Sequence, residues 1–91
     1  MPRVPSPAAA HIGARIRWAR ESATMTQDEL AVAAGIDSSN VRAYESGRAM
    51  PSIHTLLRIA QALRTPVSQF LDELALDMFP TNQADARRRA G

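Results

Sequence analysis

The chain has 91 residues, no cysteine and a formal net charge of +2. This length allows one domain with a modest core, and the lack of cysteine excludes both a disulfide framework and a thiolate metal site. The sequence has no apolar run long enough to span a bilayer, and its start, MPRVPSP, lacks the apolar segment of a secretory signal. We therefore expect a single small domain in the cytoplasm, away from the membrane.

The basic residues are all arginine: the chain has 11 of them and no lysine. The planar guanidinium binds phosphates and guanine edges through a fork of donors that lysine does not have. Four of these arginines lie within the first 27 residues, where Glu21 is the only acid. The uneven charge weakly favours an anionic partner for the N-terminal part of the chain.

The first predicted helix follows an arm, residues 1–6, that contains two prolines and is expected to be flexible. Ser6 before Pro7 has the pattern of an N-cap followed by proline at the first helical position. The helix should continue to about Ser22, because apolar residues recur at helical spacing on one face. These residues are Ile12, Ile16, Ala19 and Ala23.

Two short helices with capping signals follow, at about 27–34 and 38–46. Thr26 can cap the first of them, with Glu29 returning the hydrogen bond as in a capping box, and Asp37 stands at the cap position of the second. Two apolar pairs can close over these starts as hydrophobic staples, namely Met25 with Leu30 and Ile36 with Val41.

Gly35 separates these two helices. A glycine at this position can adopt the left-handed conformation that ends one helix and turns the chain into the next. Two helices joined by so short a turn cross at a steep angle, which is the geometry of a helix-turn-helix.

Two further helices are predicted before a polar end of the chain. Ser52 caps helix 4, whose apolar stripe contains Ile53, Leu56, Leu57, Ala60 and Leu63. Thr65-Pro66 opens helix 5, in which Val67, Phe70, Leu71 and Leu74 point inward, and Pro80 ends it. The prediction is an all-α, compact bundle of five short helices over residues 7–79, including a helical C-terminal extension, with a disordered tail at 80–91.

The stretch from Thr26 to Ser52 resembles the phage-repressor-like (XRE, Cro-like) helix-turn-helix family. The likeness lies in Gln27, Glu29-Leu30-Ala31, Ala34-Gly35-Ile36, Val41, Tyr44-Glu45, Gly47 and Pro51-Ser52, within a match that runs from about Ile12 to Leu74. The resemblance implies a lambda-repressor-like fold and a dimeric transcriptional regulator that binds double-stranded DNA sequence-specifically, with no cofactor.

The resemblance makes helix 3, residues 38–46, the recognition helix in the major groove. Ser38 and Ser39 then occupy positions that contact bases. Arg42, one turn beyond Ser38, can form a bidentate pair with guanine, and Ala43 can pack on a thymine methyl group. The alternative for Arg42 is a phosphate contact or a solvated surface charge.

The family uses the glutamine at the position of Gln27 to bind a phosphate and to brace the recognition helix. Free N–H groups and the positive dipole end at the start of a helix favour such a contact. Asn40, Ser46 and Arg48 are placed where the DNA backbone would flank helix 3, and ordinary surface roles are the alternative for all four. Phosphate contacts position the protein but do not read sequence.

One pair of side chains is expected to have a structural role, and one pair of histidines is expected to have no role in metal binding or catalysis. The resemblance makes Arg20 and Glu45 a partly buried ion pair between helix 1 and the end of helix 3, and Tyr44 a residue of the core or its edge. His11 and His54 have no partner acid or cysteine at ligand spacing, so we expect neither a metal site nor an enzyme.

Apolar residues beyond the needs of the core favour a homodimer on a palindromic operator. Trp18 lies off the apolar stripe of helix 1 and is expected to be partly exposed. The candidate interface residues are Phe70, Leu74, Leu76, Met78 and Phe79.

Two further hypotheses use the same DNA-binding module: an antitoxin that also binds a toxin, and the controller of a restriction–modification operon. The run Arg87–Arg89 is interpreted as a solubilising tail or a nonspecific DNA contact.

Overall fold

The computed structural model describes residues 6–79 as an all-α bundle, and no strand occurs in this range. The helices are α1 (Pro7–Ser22), α2 (Gln27–Ala34), α3 (Ser38–Glu45), α4 (Ile53–Ala62) and α5 (Ser68–Leu71), followed by a single 3₁₀ turn at Leu76–Met78. The predicted bundle of five short helices is confirmed. Most of the predicted arm and all of the predicted tail, including Pro80 and Arg87–Arg89, lie outside the described residues.

The starts of α1, α2 and α4 follow the capping signals, whereas α5 begins at Ser68 with Val67 at its N-cap, later than the predicted opening at Thr65-Pro66. The Ser6 hydroxyl accepts a hydrogen bond from the Ala9 amide at 3.0 Å, which caps α1. Thr26 and Glu29 form the complete capping box at the start of α2, with distances of 3.0 and 2.8 Å. Asp37 has the extended backbone of an N-cap residue, but its side chain makes no cap hydrogen bond, so that part of the prediction is wrong.

The helix-turn-helix depends on the left-handed conformation of Gly35, which has φ 71°. The amide of Ile36 donates to the carbonyl of Ala31 at 3.0 Å across this turn, as in a Schellman motif. Two side-chain-bearing residues, Thr24 and Arg64, adopt the same conformation after α1 and α4. Glycine is thus used where α2 turns directly into α3.

The core lies between the helices and is built mainly from aliphatic side chains. Its fully buried large members are Ile16, Leu30, Val41, Leu56, Ile59 and Phe70. The buried apolar stripes of α1 and α4 are narrower than predicted, because Ala23 at the end of α1 and Ile53 and Leu57 on α4 are exposed. None of the helices described between residues 6 and 79 has the length and apolar character required to cross a bilayer.

The predicted helical extension of α5 to residue 79 is wrong. The helix ends at Leu71, and Glu73, with φ 64°, turns the chain away from the helix axis. Side chains of α1 bind this end: Arg15 donates to the carbonyl of Gln69 at 3.2 Å and pairs with Glu73 at 2.8 Å. The first of these contacts satisfies a backbone carbonyl that a longer helix would pair internally.

Candidate nucleic-acid interface

The C-terminal end of α3 is attached to the rest of the bundle through a buried carboxylate. Arg20 on α1 donates to both oxygens of Glu45, at 2.6 and 3.0 Å. The side chains are only 10 % and 3 % exposed, respectively. The structure therefore brings together the two residues for which the resemblance implied an ion pair.

Two further hydrogen bonds complete this network. The Arg20 guanidinium donates to the carbonyl of Met25 at 2.7 Å, and the Gln27 amide donates to Glu45 Oε1 at 3.0 Å. The hydrogen bonds with Glu45 raise the pKa of the Arg20 guanidinium, against the opposing effect of its burial. One carboxylate thus connects α1, the start of α2 and the end of α3.

Close backbone packing supports the same end of α3. Gly13 is buried in the middle of α1, and a Cβ atom there would lie 2.0 Å from the carbonyl oxygen of Tyr44. The signal for this contact in the sequence is a glycine inside a predicted helix, which indicates close approach but does not identify the partner. Tyr44 itself is half-buried against the core, the place that the resemblance implied for it.

The N-terminal and outer part of α3 is polar and accessible. Val41 is its only buried residue. Among the predicted base contacts, Ser39 and Arg42 are exposed, whereas Ser38 and Ala43 are half-buried. These four residues lie on the same short helix, so the fold presents them together.

Arg42 makes two long contacts with its neighbours. Its guanidinium lies 3.4 Å from the hydroxyl of Ser38 and 3.4 Å from the carboxylate of Asp28 on α2. Both members of the ion pair are more than half exposed. No local pattern in the sequence marks Asp28, because it lies 14 residues from Arg42.

The predicted phosphate contacts lie around this face. Gln27 is half-buried at the first position of α2, where its amide braces Glu45. Asn40 is exposed on α3. The hydroxyl of Ser46 accepts a hydrogen bond from Arg48 Nε at 3.1 Å, which holds the guanidinium beside the end of α3.

The predicted dimer contacts divide into two groups. Phe70 is 1 % exposed and belongs to the core, so its assignment to an interface is wrong, and Leu74 also packs on the core. Leu76 and Phe79 are exposed and Met78 is half-buried. Trp18 is 67 % exposed, as predicted, and borders a groove of about 330 Å³ between α1 and α5.

Sequence relatives of this chain include bacterial transcriptional regulators. It is 35 % identical over 65 residues to a transcriptional regulator in the ATPase CF(0) region of Rhodospirillum rubrum, which covers 71 % of this chain and 60 % of the relative. It is also 35 % identical over 69 residues to an HTH-type transcriptional regulator of Sinorhizobium medicae, covering 76 % and 50 %. The chain thus spans 50–60 % of the length of these relatives.

Two solved structures share the fold. The restriction–modification controller protein C.AhdI from Aeromonas hydrophila is 29 % identical with a TM-score of 0.67, covering 68 % of this chain and 94 % of that one. The clp gene regulator ClgR from C. glutamicum is 26 % identical with a TM-score of 0.67, covering 76 % and 95 %. A family model described as helix-turn-helix matches residues 16–70. The chain therefore belongs to the helix-turn-helix family.

Proposed function

We propose that this chain binds double-stranded DNA sequence-specifically as a small dimeric transcriptional regulator, with α3 in the major groove. The observation that carries this proposal is the asymmetry of α3. Its C-terminal end is fixed by the buried Arg20–Glu45 pair, while the polar face with Ser39 and Arg42 is accessible. The relatives named as transcriptional regulators support the same role. Such a role uses no catalytic group and belongs in the cytoplasm, with the genome.

The base-reading surface consists of four side chains on α3. Arg42 carries the strongest discrimination, since a guanidinium can bind guanine O6 and N7 together. Ser38 lies 3.4 Å from this guanidinium, so both side chains meet neighbouring bases. Ser39 supplies a hydroxyl that donates or accepts, and Ala43 supplies a methyl group for thymine.

The flanking contacts hold α3 in register on the duplex. Gln27 combines two tasks: one N–H of its Nε2 braces Glu45 at 3.0 Å, and the second N–H of the same Nε2, together with the free backbone N–H groups at the start of α2, donates to a phosphate. Asn40, Ser46 and Arg48 contact the backbone on either side. These groups contribute affinity that is independent of sequence.

Selection from a random duplex library tests the proposal directly. The duplexes that bind the chain should become enriched in one defined sequence. The affinity of the chain for that sequence should fall steeply as the salt concentration rises, because each phosphate that it neutralises releases counterions. Enrichment of no sequence, with equal affinity for all duplexes, would refute sequence-specific binding.

A twofold dimer would place two copies of α3 about 34 Å apart on a palindromic site. The exposed side chains of Trp18, Leu76 and Phe79 supply apolar surface for such an interface. Sedimentation at micromolar concentration should show a dimer, and Leu76→Asp should shift it toward monomer. A monomer both alone and on the selected duplex would contradict this part of the proposal.

Control of a restriction–modification operon is the more specific form of this function. Its support is the likeness to C.AhdI, of which this chain covers 94 %; ClgR is matched to the same extent, so the genes beside the selected site decide between the two roles. The selected site should then lie upstream of adjacent methyltransferase and endonuclease genes. If the selected site lies beside unrelated genes, the chain regulates a different operon.

A further inference from the structure

The N-terminal turn of α2 contacts α3 through two adjacent residues. Gln27 reaches Glu45 and is part of the buried network. Asp28, the next residue, reaches Arg42, with 3.4 Å between Oδ1 and the guanidinium. Asp28 does not cap α2, because Thr26 and Glu29 form the capping box. Its contact with Arg42 is therefore separate from the capping box that begins α2.

We propose that Asp28 is a positioning residue that directs Arg42 toward a base and away from a phosphate. This inference rests on the proposed function, since it concerns how the same surface discriminates among DNA sequences. It assigns to α2 a part in specificity in addition to the bracing of α3.

The position of the guanidinium supports this role. Arg42 is held at two points, by the Ser38 hydroxyl on its own helix and by Asp28 on the neighbouring one. A guanidinium has more donors than these two contacts use, so it can still bind a base edge. A side chain that is already oriented loses less rotamer freedom on binding than a free one.

The charge of Asp28 separates the two classes of DNA acceptor. A phosphate bound to Arg42 would bring a second negative charge close to the Asp28 carboxylate, and like charges repel. A guanine edge presents neutral acceptors and avoids this repulsion. The carboxylate thus opposes phosphate binding more strongly than base binding.

The exposure of the pair makes the contact adjustable. The Arg42 side chain is 51 % exposed and that of Asp28 is 72 % exposed. An ion pair in this environment is weak, so Arg42 can shift toward a base without the cost of breaking a buried interaction. The pair orients the guanidinium and leaves it available.

Asp28→Asn tests the inference, with Asp37→Asn as its matched control. Both variants remove one negative charge beside α3, but within residues 6–79 Asp37 makes neither a cap hydrogen bond nor an ion pair. Circular dichroism first establishes that both variants are folded. Affinities are then measured for the duplex selected by the wild type and for each of its single base-pair variants.

Both variants should bind all duplexes more tightly. Only Asp28→Asn should lower discrimination at the base pair that Arg42→Ala affects, by about threefold to fivefold. It should also steepen the dependence of log affinity on log salt by up to about 0.9, the effect of one added phosphate contact. In the Arg42→Ala background, Asp28→Asn should change discrimination no further.

Two results would overturn the inference. The first is that Asp28→Asn and Asp37→Asn discriminate equally between the selected duplex and its base-pair variants. The second is that Asp28→Asn lowers discrimination in the Arg42→Ala background by as much as it does in the wild type. Either result would make Asp28 a surface charge like any other near DNA. A wild-type chain that prefers no duplex would refute the proposed function itself, and this outcome is distinct from both.

Discussion

Two faces of α3 are built in opposite ways. At the C-terminal end, Glu45 is 3 % exposed and receives hydrogen bonds from Arg20 and Gln27. On the outer face, Arg42 is half exposed and pairs weakly with Asp28 at 3.4 Å. The same kind of chemical pair, a guanidinium with a carboxylate, is buried where α3 packs on the bundle and exposed on the outer face of the helix.

Burial accounts for this difference. A buried charge without its partner is costly, so the Arg20–Glu45 pair constrains the orientation of α3. An exposed pair is screened by solvent and contributes little to stability. Substitutions at the buried pair should therefore lower the free energy of unfolding, and those on the outer face should change DNA affinity or discrimination.

Loss of the buried carboxylate should have the largest effect. Glu45→Ala leaves the Arg20 guanidinium buried without its charge partner and should lower the free energy of unfolding by about 3–5 kcal/mol. Urea denaturation followed by circular dichroism measures this change. Glu21→Ala, which removes the exposed Arg17–Glu21 pair, is the control and should cost less than about 1 kcal/mol. Equal effects of the two variants would contradict the buried network.

The close approach of α1 to α3 gives the second prediction. Gly13→Ala should lower the stability by about 1–3 kcal/mol or more, because the new Cβ would lie 2.0 Å from the Tyr44 carbonyl oxygen. The favourable helix propensity of alanine, about 1 kcal/mol, should not compensate for this overlap. Ala14→Gly, at the exposed neighbouring position of α1, measures the difference in helix propensity between alanine and glycine alone. A Gly13→Ala variant more stable than the wild type would disprove the tight packing.

On the outer face, Arg42→Ala should change DNA discrimination with little effect on stability. Preference at one base pair should fall by about 1–3 kcal/mol, the value of a bidentate contact with guanine. Binding to a set of single base-pair variants of the selected duplex reports this loss. An unchanged ranking of the duplexes would show that Arg42 does not read a base.

Gln27→Ala should give a smaller and more uniform effect. The affinity for every duplex should fall by a similar factor, up to about tenfold, because a phosphate contact carries no sequence information. Stability should fall by about 1 kcal/mol through the lost hydrogen bond with Glu45. A change in the ranking of duplexes would assign Gln27 to base reading instead.

Local signals in the sequence predicted most of the fold. The caps at Ser6, Thr26 and Ser52 mark helix starts correctly, and Gly35 marks the turn between α2 and α3. These features depend on residues a few positions apart, so a single sequence contains them. The pairing of Arg20 with Glu45 came from the resemblance, since no local pattern joins residues 25 apart.

Apart from the missing Asp37 cap, which is local, the main errors and omissions involve tertiary contacts. The end of α5 depends on Arg15 of α1, which binds the carbonyl of Gln69 and the side chain of Glu73. The role of Gly13 depends on the position of the Tyr44 carbonyl, and the contact of Asp28 with Arg42 depends on the angle between two helices. None of these distances can be obtained from periodicity or capping alone.

A nuclear magnetic resonance titration of isotope-labelled protein with the selected duplex reports how α3 lies on DNA. The largest amide shifts should fall on residues 27–28 and 38–43, with small changes along α5. Large shifts on α4 and α5 with an unaffected α3 would contradict this orientation.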